Sequence, residues 1–473
     1  MSLFLTGCET QKSLTQKRIK SVEKGLLRAV FLKGQKPEKL DLLERMKFYK
    51  VPGVSIAFLD RYQIEWAKSY GIKDVQGAQP VTKETIFQAG ALSQPIAAAA
   101  ALHYVDSGRL DLDKDVNAWL QTWKIPTNPF TAKNKVTLRE LLTHSSGFPS
   151  LVFPGYFQKE PIPDLSQVLA GEKPAKNQPL QCESEPGRRV RDSEAGFTVL
   201  QQLLGELEKK PFEAVAREVV FDPLSLKNST FDFPLPEVMR PNAASGHLRD
   251  GTPVEGGWQN YPELAAKGLW TNPTEFASFV IELLETAMEK SAKILSPAAA
   301  RSMLTAQLEY KGFGFNVEGA GEENNFNLRG KTTGYASYLI VYPSRGQGAV
   351  IMTNSTNGSF LIDEILRAIS AAYLWPHFRA QERPLFRLDP SIYKQYVGQY
   401  QVAPGYVLDV GYEDYCLIIR PSGQASTKFY VESETIFFSV DPYIRIQFRR
   451  DEAGKVAGLV LWQQDFEQEA RRL

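Results

Sequence analysis

Between Ile96 and Tyr104 the chain runs Ile-Ala-Ala-Ala-Ala-Ala-Leu-His-Tyr, almost wholly small or apolar. A helix that is apolar on every side has no face to give to water, so it must lie inside a large body with other layers around it. The run is far short of the ~20 residues needed to cross a bilayer. The rest of the chain can supply such a body. Its 473 residues are 43% hydrophobic and 23% charged, which excludes wholesale disorder. A formal net charge of +1 argues against a nucleic-acid-binding protein of the usual basic kind.

Strand patterns flank the helical region. Gly53 to Leu59 and Ile64 to Ala67 read as a hairpin turning at Asp60–Gln63. Tyr335–Tyr342 and Gly348–Thr353 form a second strand pair turning at Ser344–Gln347, followed by a helix over Leu361–Leu374. A further helix is expected near Ser21–Leu32. Strands at both ends of the first ~380 residues, with helices between them, predict an α+β body of αβα type. Residues 379–390 read as a linker, and 391–473 as a small all-β domain. There Ile444, Ile446 and Phe448 alternate with Arg445, Gln447 and Arg449.

Three cysteines (Cys8, Cys182, Cys416) and four histidines (His103, His144, His247, His377) lie in no metal-binding or disulfide spacing, so neither a metal nor a cofactor is expected. Leu5-Thr6-Gly7-Cys8 matches a bacterial lipobox, with Cys8 the lipidated residue. Only seven residues precede Cys8, too few for a whole signal peptide. Residues 1–21 are therefore expected to be lipobox and polar tether, giving an exported protein of the bacterial cell envelope that meets the membrane only through an anchor at Cys8.

Within the domain expected over residues 22–378, a succession of motifs covering about residues 40 to 370 carries a resemblance. Thr85-Ile86-Phe87-Gln88-Ala89-Gly90 opens the apolar helix, and Ser107-Gly108-Arg109-Leu110-Asp111 follows it. Next come Leu141-Leu142-Thr143-His144-Ser145-Ser146-Gly147, Pro186-Gly187, Gly196-Phe197, Gly334-Tyr335 and Met352-Thr353-Asn354. In this order they resemble the β-lactamase and penicillin-binding-protein superfamily of serine hydrolases, in its class C-like and esterase branch. The resemblance implies an antiparallel sheet flanked by helices with an inserted helical subdomain, and a C-terminal domain like the barrel-like module often appended to such hydrolases.

It also implies three catalytic motifs, and each is broken. The nucleophilic serine position is Ala91, and the lysine base three residues on is Gln94. A methyl group cannot attack a carbonyl, and an amide holds no proton near neutral pH. The Tyr-x-Asn position reads Asp192-Ser193-Glu194, and the His or Lys of the third motif is Leu328 in the gapless register Leu328-Arg329-Gly330. Lys331-Thr332-Thr333 resembles Lys-Thr-Gly only if three residues are deleted. Ser21–Lys24 and Ser391–Lys394 fit Ser-x-x-Lys without a buried helix behind them, and Ser93 is read as a capping or packing serine.

The leading expectation is a binding or regulatory pseudoenzyme. Backbone N–H groups of Ala91 and Lys331 would form an anion-binding pair, and Arg329 and Lys331 would favour a carboxylate ligand such as a peptide C-terminus, or a small ester. Asp192 is expected to be solvent-exposed or paired with Arg329, Lys331 or Gln94. Two alternatives stand beside this reading: an active hydrolase using Asp192, Glu194 and Lys331, and a structural surface lipoprotein.

Overall fold

The computed structural model describes residues 3–463 and 466–473, which pack as two units, 45–362 and a second made of 3–44 with the described residues from 363 onward. In the first unit six strands form one antiparallel sheet: β1 (Gly53–Asp60), β2 (Gln63–Gly71), β3 (Asn316–Glu318), β4 (Asn325–Thr332), β5 (Tyr335–Tyr342) and β6 (Gln347–Thr353), in the order β2-β1-β6-β5-β4-β3. The expected α+β architecture is thus present, with the helical subdomain inserted between β2 and β3. The β1–β2 turn is closed by Arg61 and Tyr62 at φ 52° and 62°. Two left-handed residues in succession match the twist of a two-residue hairpin, although neither is the usual Gly or Asn.

Helix α1 (Ser93–Asp106) is the apolar segment, and every residue from Ser93 to Leu102 is buried. Helix α2 (Ala195–Glu208) follows the second motif, and α3 (Pro273–Ala287) packs on β1, β2 and β6. A short Trp270–Thr271 strand pairs with Phe87–Gln88 and so ties the entrance of α1 to the segment leading into α3.

The second unit differs from expectation at its N-terminal end. A helix spans Leu3–Glu23 where a tether was expected, and it stops where Ser21–Leu32 was read as helical. Val30–Leu32 is instead a strand, paired in parallel with Gln381–Arg383. Val30 and Leu32 are buried on one side, the period-two pattern of a strand. Residues 3–44 consequently pack with the C-terminal part of the chain. Cys8 falls within the helix, and its side chain lies outside the described residues.

After the short helix Pro390–Tyr396, eight strands from Gly398 to Arg472 close into a barrel, sealed by the pairs Tyr400↔Arg472 and Gln401↔Arg471. Its core is aromatic: Tyr393, Tyr396, Tyr400 and Phe437 are 0% exposed, and Tyr396 stacks on Phe448 at 4.1 Å.

Candidate functional site

Gly90 has φ +59°, and a Cβ added there would lie 2.6 Å from the Lys331 nitrogen. A Cβ on Gly330 would lie 2.0 Å from the Ala89 carbonyl oxygen. Only glycine lets the turn before α1 and strand β4 approach so closely. The two elements meet around Ala91, which is half-buried two residues before the helix. Ser93 is fully buried, donates to the Gly90 carbonyl (2.7 Å) and accepts from the Leu269 N–H (3.0 Å). Both bonds hold backbone in place, as its reading as a packing serine requires.

Gln94 is 4% exposed, and its Oε1 lies 3.0 Å from Nε2 of His144. On the other side of the ring, the Ser193 N–H meets Nδ1 at 3.2 Å. Nδ1 also lies 3.0 Å from the Ser193 carbonyl oxygen, so the Ser193 backbone holds this side of the ring in either tautomer while Nε2 meets the Gln94 amide. Burial, reinforced by the nearby Lys311 ammonium, pushes His144 down to about 4 against the opposing charge of Asp192. At neutral pH a neutral imidazole holds a neutral amide where the resemblance places a lysine base.

Asp192 is open to solvent, one of the two expected outcomes, and does not pair with Arg329, Lys331 or Gln94. Its carboxylate, 63% exposed, is 2.6 Å from the ammonium of buried Lys311, and Tyr310 donates its phenol to the other oxygen at 3.3 Å. Lys311 also donates to Asn316 Oδ1 (2.6 Å). Desolvation opposes ionisation of Asp192, but Lys311, His144 and Tyr310 outweigh it and hold the carboxyl below its usual range.

Glu194 points to a different cation. It lies 2.9 Å from Lys267, whose side chain is 3% exposed, and accepts the Phe153 N–H at 2.7 Å. Lys267 in turn donates to the Phe153 carbonyl (3.0 Å). Burial pushes the Glu194 carboxyl up despite Lys267. Glu263 is 0% exposed, and neither of its carboxylate oxygens has a hydrogen-bond partner among the described residues. Burial, with the charge of Glu194, pushes it up to about 8.

The third motif departs from expectation in where its charged side chains point. Leu328 is 6% exposed and belongs to the main apolar core. Along β4 the faces alternate. Gly330 and its partner Ser337 face the turn, with Ser337 donating to the Ala89 carbonyl at 2.8 Å. Arg329 and Lys331 therefore project from the opposite face, where Arg329 stacks over Tyr338 at 4.4 Å. Neither side chain is presented toward Ala91. Only the Lys331 backbone remains beside Gly90.

Five participants were not singled out in the sequence: His144, Lys267, Glu263, Tyr310 and Lys311. One signal pointed to Lys267, a lone charge in Leu264-Ala265-Ala266-Lys267-Gly268-Leu269. The Ser-x-x-Lys matches at 21–24 and 391–394 are local structure, since Lys24 pairs with Asp41 and Ser391 donates to Asp389 at the start of its helix. Among the described residues no cluster of three or more His, Cys, Asp or Glu is placed to hold a metal ion.

Residues 41–372 match the β-lactamase family. The chain belongs to that family. This β-lactamase-family chain is 26% identical over 262 residues to an uncharacterized protein of Mycobacterium tuberculosis, covering 50% of itself but only 63% of that relative's length. It is 22% identical over 431 residues to a penicillin-binding protein of Bacillus subtilis, covering 85% of itself and 91% of the relative. Its fold is similar to that of the octameric penicillin-binding protein homologue from Pyrococcus abyssi, with a TM-score of 0.61, 21% identity and coverage of 91% and 98% of the two chains. Among its described residues no helix is long and apolar enough to cross a membrane.

Proposed function

We propose that this β-lactamase-family chain is a non-catalytic binding or regulatory protein. The observation that carries the reading is the Gln94–His144 hydrogen bond beside Ala91. A methyl group stands at the nucleophile position, and the base position holds an amide whose oxygen is already bound. The ligand is a small molecule or peptide end with a carbonyl or carboxylate oxygen, received by the backbone N–H groups of Ala91 and Lys331 rather than by the side chains of Arg329 or Lys331. The close approach of Gly90 to Lys331 supports this pair of donors. The bacterial envelope, with a lipid on Cys8, is its place of action.

Hydrolysis through Asp192, Glu194 and Lys331 has less support. Asp192 is committed to Lys311 and Glu194 to Lys267, while Lys331 projects from the other face of β4. Incubation with a fluorescent penicillin and with a fluorophosphonate, read by intact-protein mass spectrometry, is expected to leave the protein unlabelled. A stoichiometric adduct within residues 85–100 would overturn the reading.

A further inference from the structure

The helix Pro390–Tyr396 turns Tyr393 and Tyr396 into the barrel core and leaves Lys394 and Gln395 exposed between them. Around these two residues gather the end of one strand at Arg450, the following turn at Lys455 and the end of the last strand at Arg472. Together they line a pocket of about 490 Å³ whose wall includes Val456 and no acidic residue. That volume lies within the ~300–1,000 Å³ of ordinary small-molecule sites.

The two arginines are fixed in place by neutral acceptors. Arg450 donates to the Gly454 carbonyl (2.8 Å), to Gln395 Oε1 (2.9 Å) and to the Tyr396 hydroxyl (3.3 Å). Arg472 donates to the carbonyls of Gln395 (2.9 Å), Val397 (2.7 Å) and Val456 (3.4 Å). A guanidinium has five donors, so each retains some after these bonds. Lys394 and Lys455 are exposed, and none of the four cations has a carboxylate within salt-bridge distance among the described residues. The chain as a whole carries only +1, so this concentration is not the by-product of a generally basic surface. Four cations around one small pocket exceed what a single carboxylate neutralises. They suit a phosphate group, which offers several oxygens and up to two charges to forked arginines and mobile lysines.

We propose that this end of the barrel is a binding site for a phosphate-bearing ligand, separate from the Ala91 region. Arg450 and Arg472 are its preset donors, and Lys394 and Lys455 its outer charges. The phosphate belongs either to a free small molecule or to a lipid headgroup, and the test distinguishes these sources. Calorimetry of the full chain with inorganic pyrophosphate is run at low ionic strength. In parallel, co-sedimentation compares vesicles of equal parts phosphatidylglycerol and phosphatidylcholine with vesicles of phosphatidylcholine alone.

Binding of pyrophosphate without vesicles marks the free ligand, and binding of anionic vesicles marks the headgroup. Either is expected to weaken at least about tenfold in a Lys394→Gln/Lys455→Gln variant. Neither lysine's side chain makes a described hydrogen bond, and the backbone bonds of Lys455 to Asp451 do not depend on it, so the variant keeps the barrel intact. Arg450→Gln is the second variant, with circular dichroism confirming its fold. Failure to bind either probe would overturn the proposal, as would binding that both variants leave unchanged.

Discussion

Gln94 and Glu194 stand at positions where the resemblance places a lysine and an asparagine; Gln94 is buried and Glu194 largely so. They have been accommodated by opposite chemistry. Gln94 is neutral and meets a neutral imidazole, which is itself held by backbone, so the exchange leaves no charge to solvate. Glu194 brings a charge into the interior and is answered by Lys267, beside a second carboxyl, Glu263, with no hydrogen-bond partner. A buried polar side chain is thus accommodated cheaply when it is neutral. A charged one needs a counter-ion supplied from elsewhere in the chain.

The sharpest way to break this contrast is to remove the counter-ion. Lys267→Met leaves Glu194 and Glu263 buried without a cation, and is expected to cost roughly 3–5 kcal/mol in urea denaturation. A loss under ~1 kcal/mol would mean that Lys267 is not what holds the carboxylates. The neutral region is probed next, by acid. His144 titrates at about 4 when folded against a reference of 6.5, so the fold favours its uncharged form. The stability this provides is complete above pH 6.5 and is lost as pH falls toward 4. Its full size is roughly 2–3 kcal/mol. The difference in unfolding free energy between the parent and His144→Gln, measured across that window, should show the slope. A flat difference would show that the imidazole is not buried in neutral form.

Glu263 has the reverse sign. Its carboxyl is pushed up to about 8, so the folded chain keeps a proton that the unfolded chain sheds at the usual carboxylate range. Stability is therefore lost as pH rises from about 4.5 to 8. Glu263→Gln should stabilise by roughly 1–2 kcal/mol at pH 8 and by almost nothing near pH 4. Equal effects at both pH values would show that the group is ionised in the fold. The smallest effect belongs to Ala91→Ser, expected to change stability by less than about 0.5 kcal/mol and to gain no penicillin label, because no base stands beside it. Turnover by that single variant would show that another group already acts as base.

Much of this contrast was hidden from sequence for a physical reason. The motif order predicts the β1–β6 sheet and the buried α1, because those features follow one another in a set order along one stretch of chain. The partners that settle the substitutions come from distant segments. His144 reaches Gln94 from 50 residues away, and Lys311 reaches Asp192 from well over 100. Arg329 was misread because sequence proximity to the third motif says nothing about which face of β4 a residue occupies, and a shift of one residue reverses the face. The segment Val30–Leu32 was misread as helix because its pairing partner, Gln381–Arg383, lies at the other end of the chain.

Closure of the C-terminal barrel governs how that unit can be recognised. A closed ring of strands offers no free row of backbone donors and acceptors, so no foreign strand can be added to it and no copy of the chain can extend it. The six-stranded sheet still ends in β2, a nine-residue border that is half-open to solvent. Templated pairing between chains is therefore left to open edges outside the barrel, such as that border and the shorter β3 at the other end of the sheet. Whatever docks on the barrel must read side chains and loop ends, and such a contact tolerates changes in the partner's backbone but not in its charge.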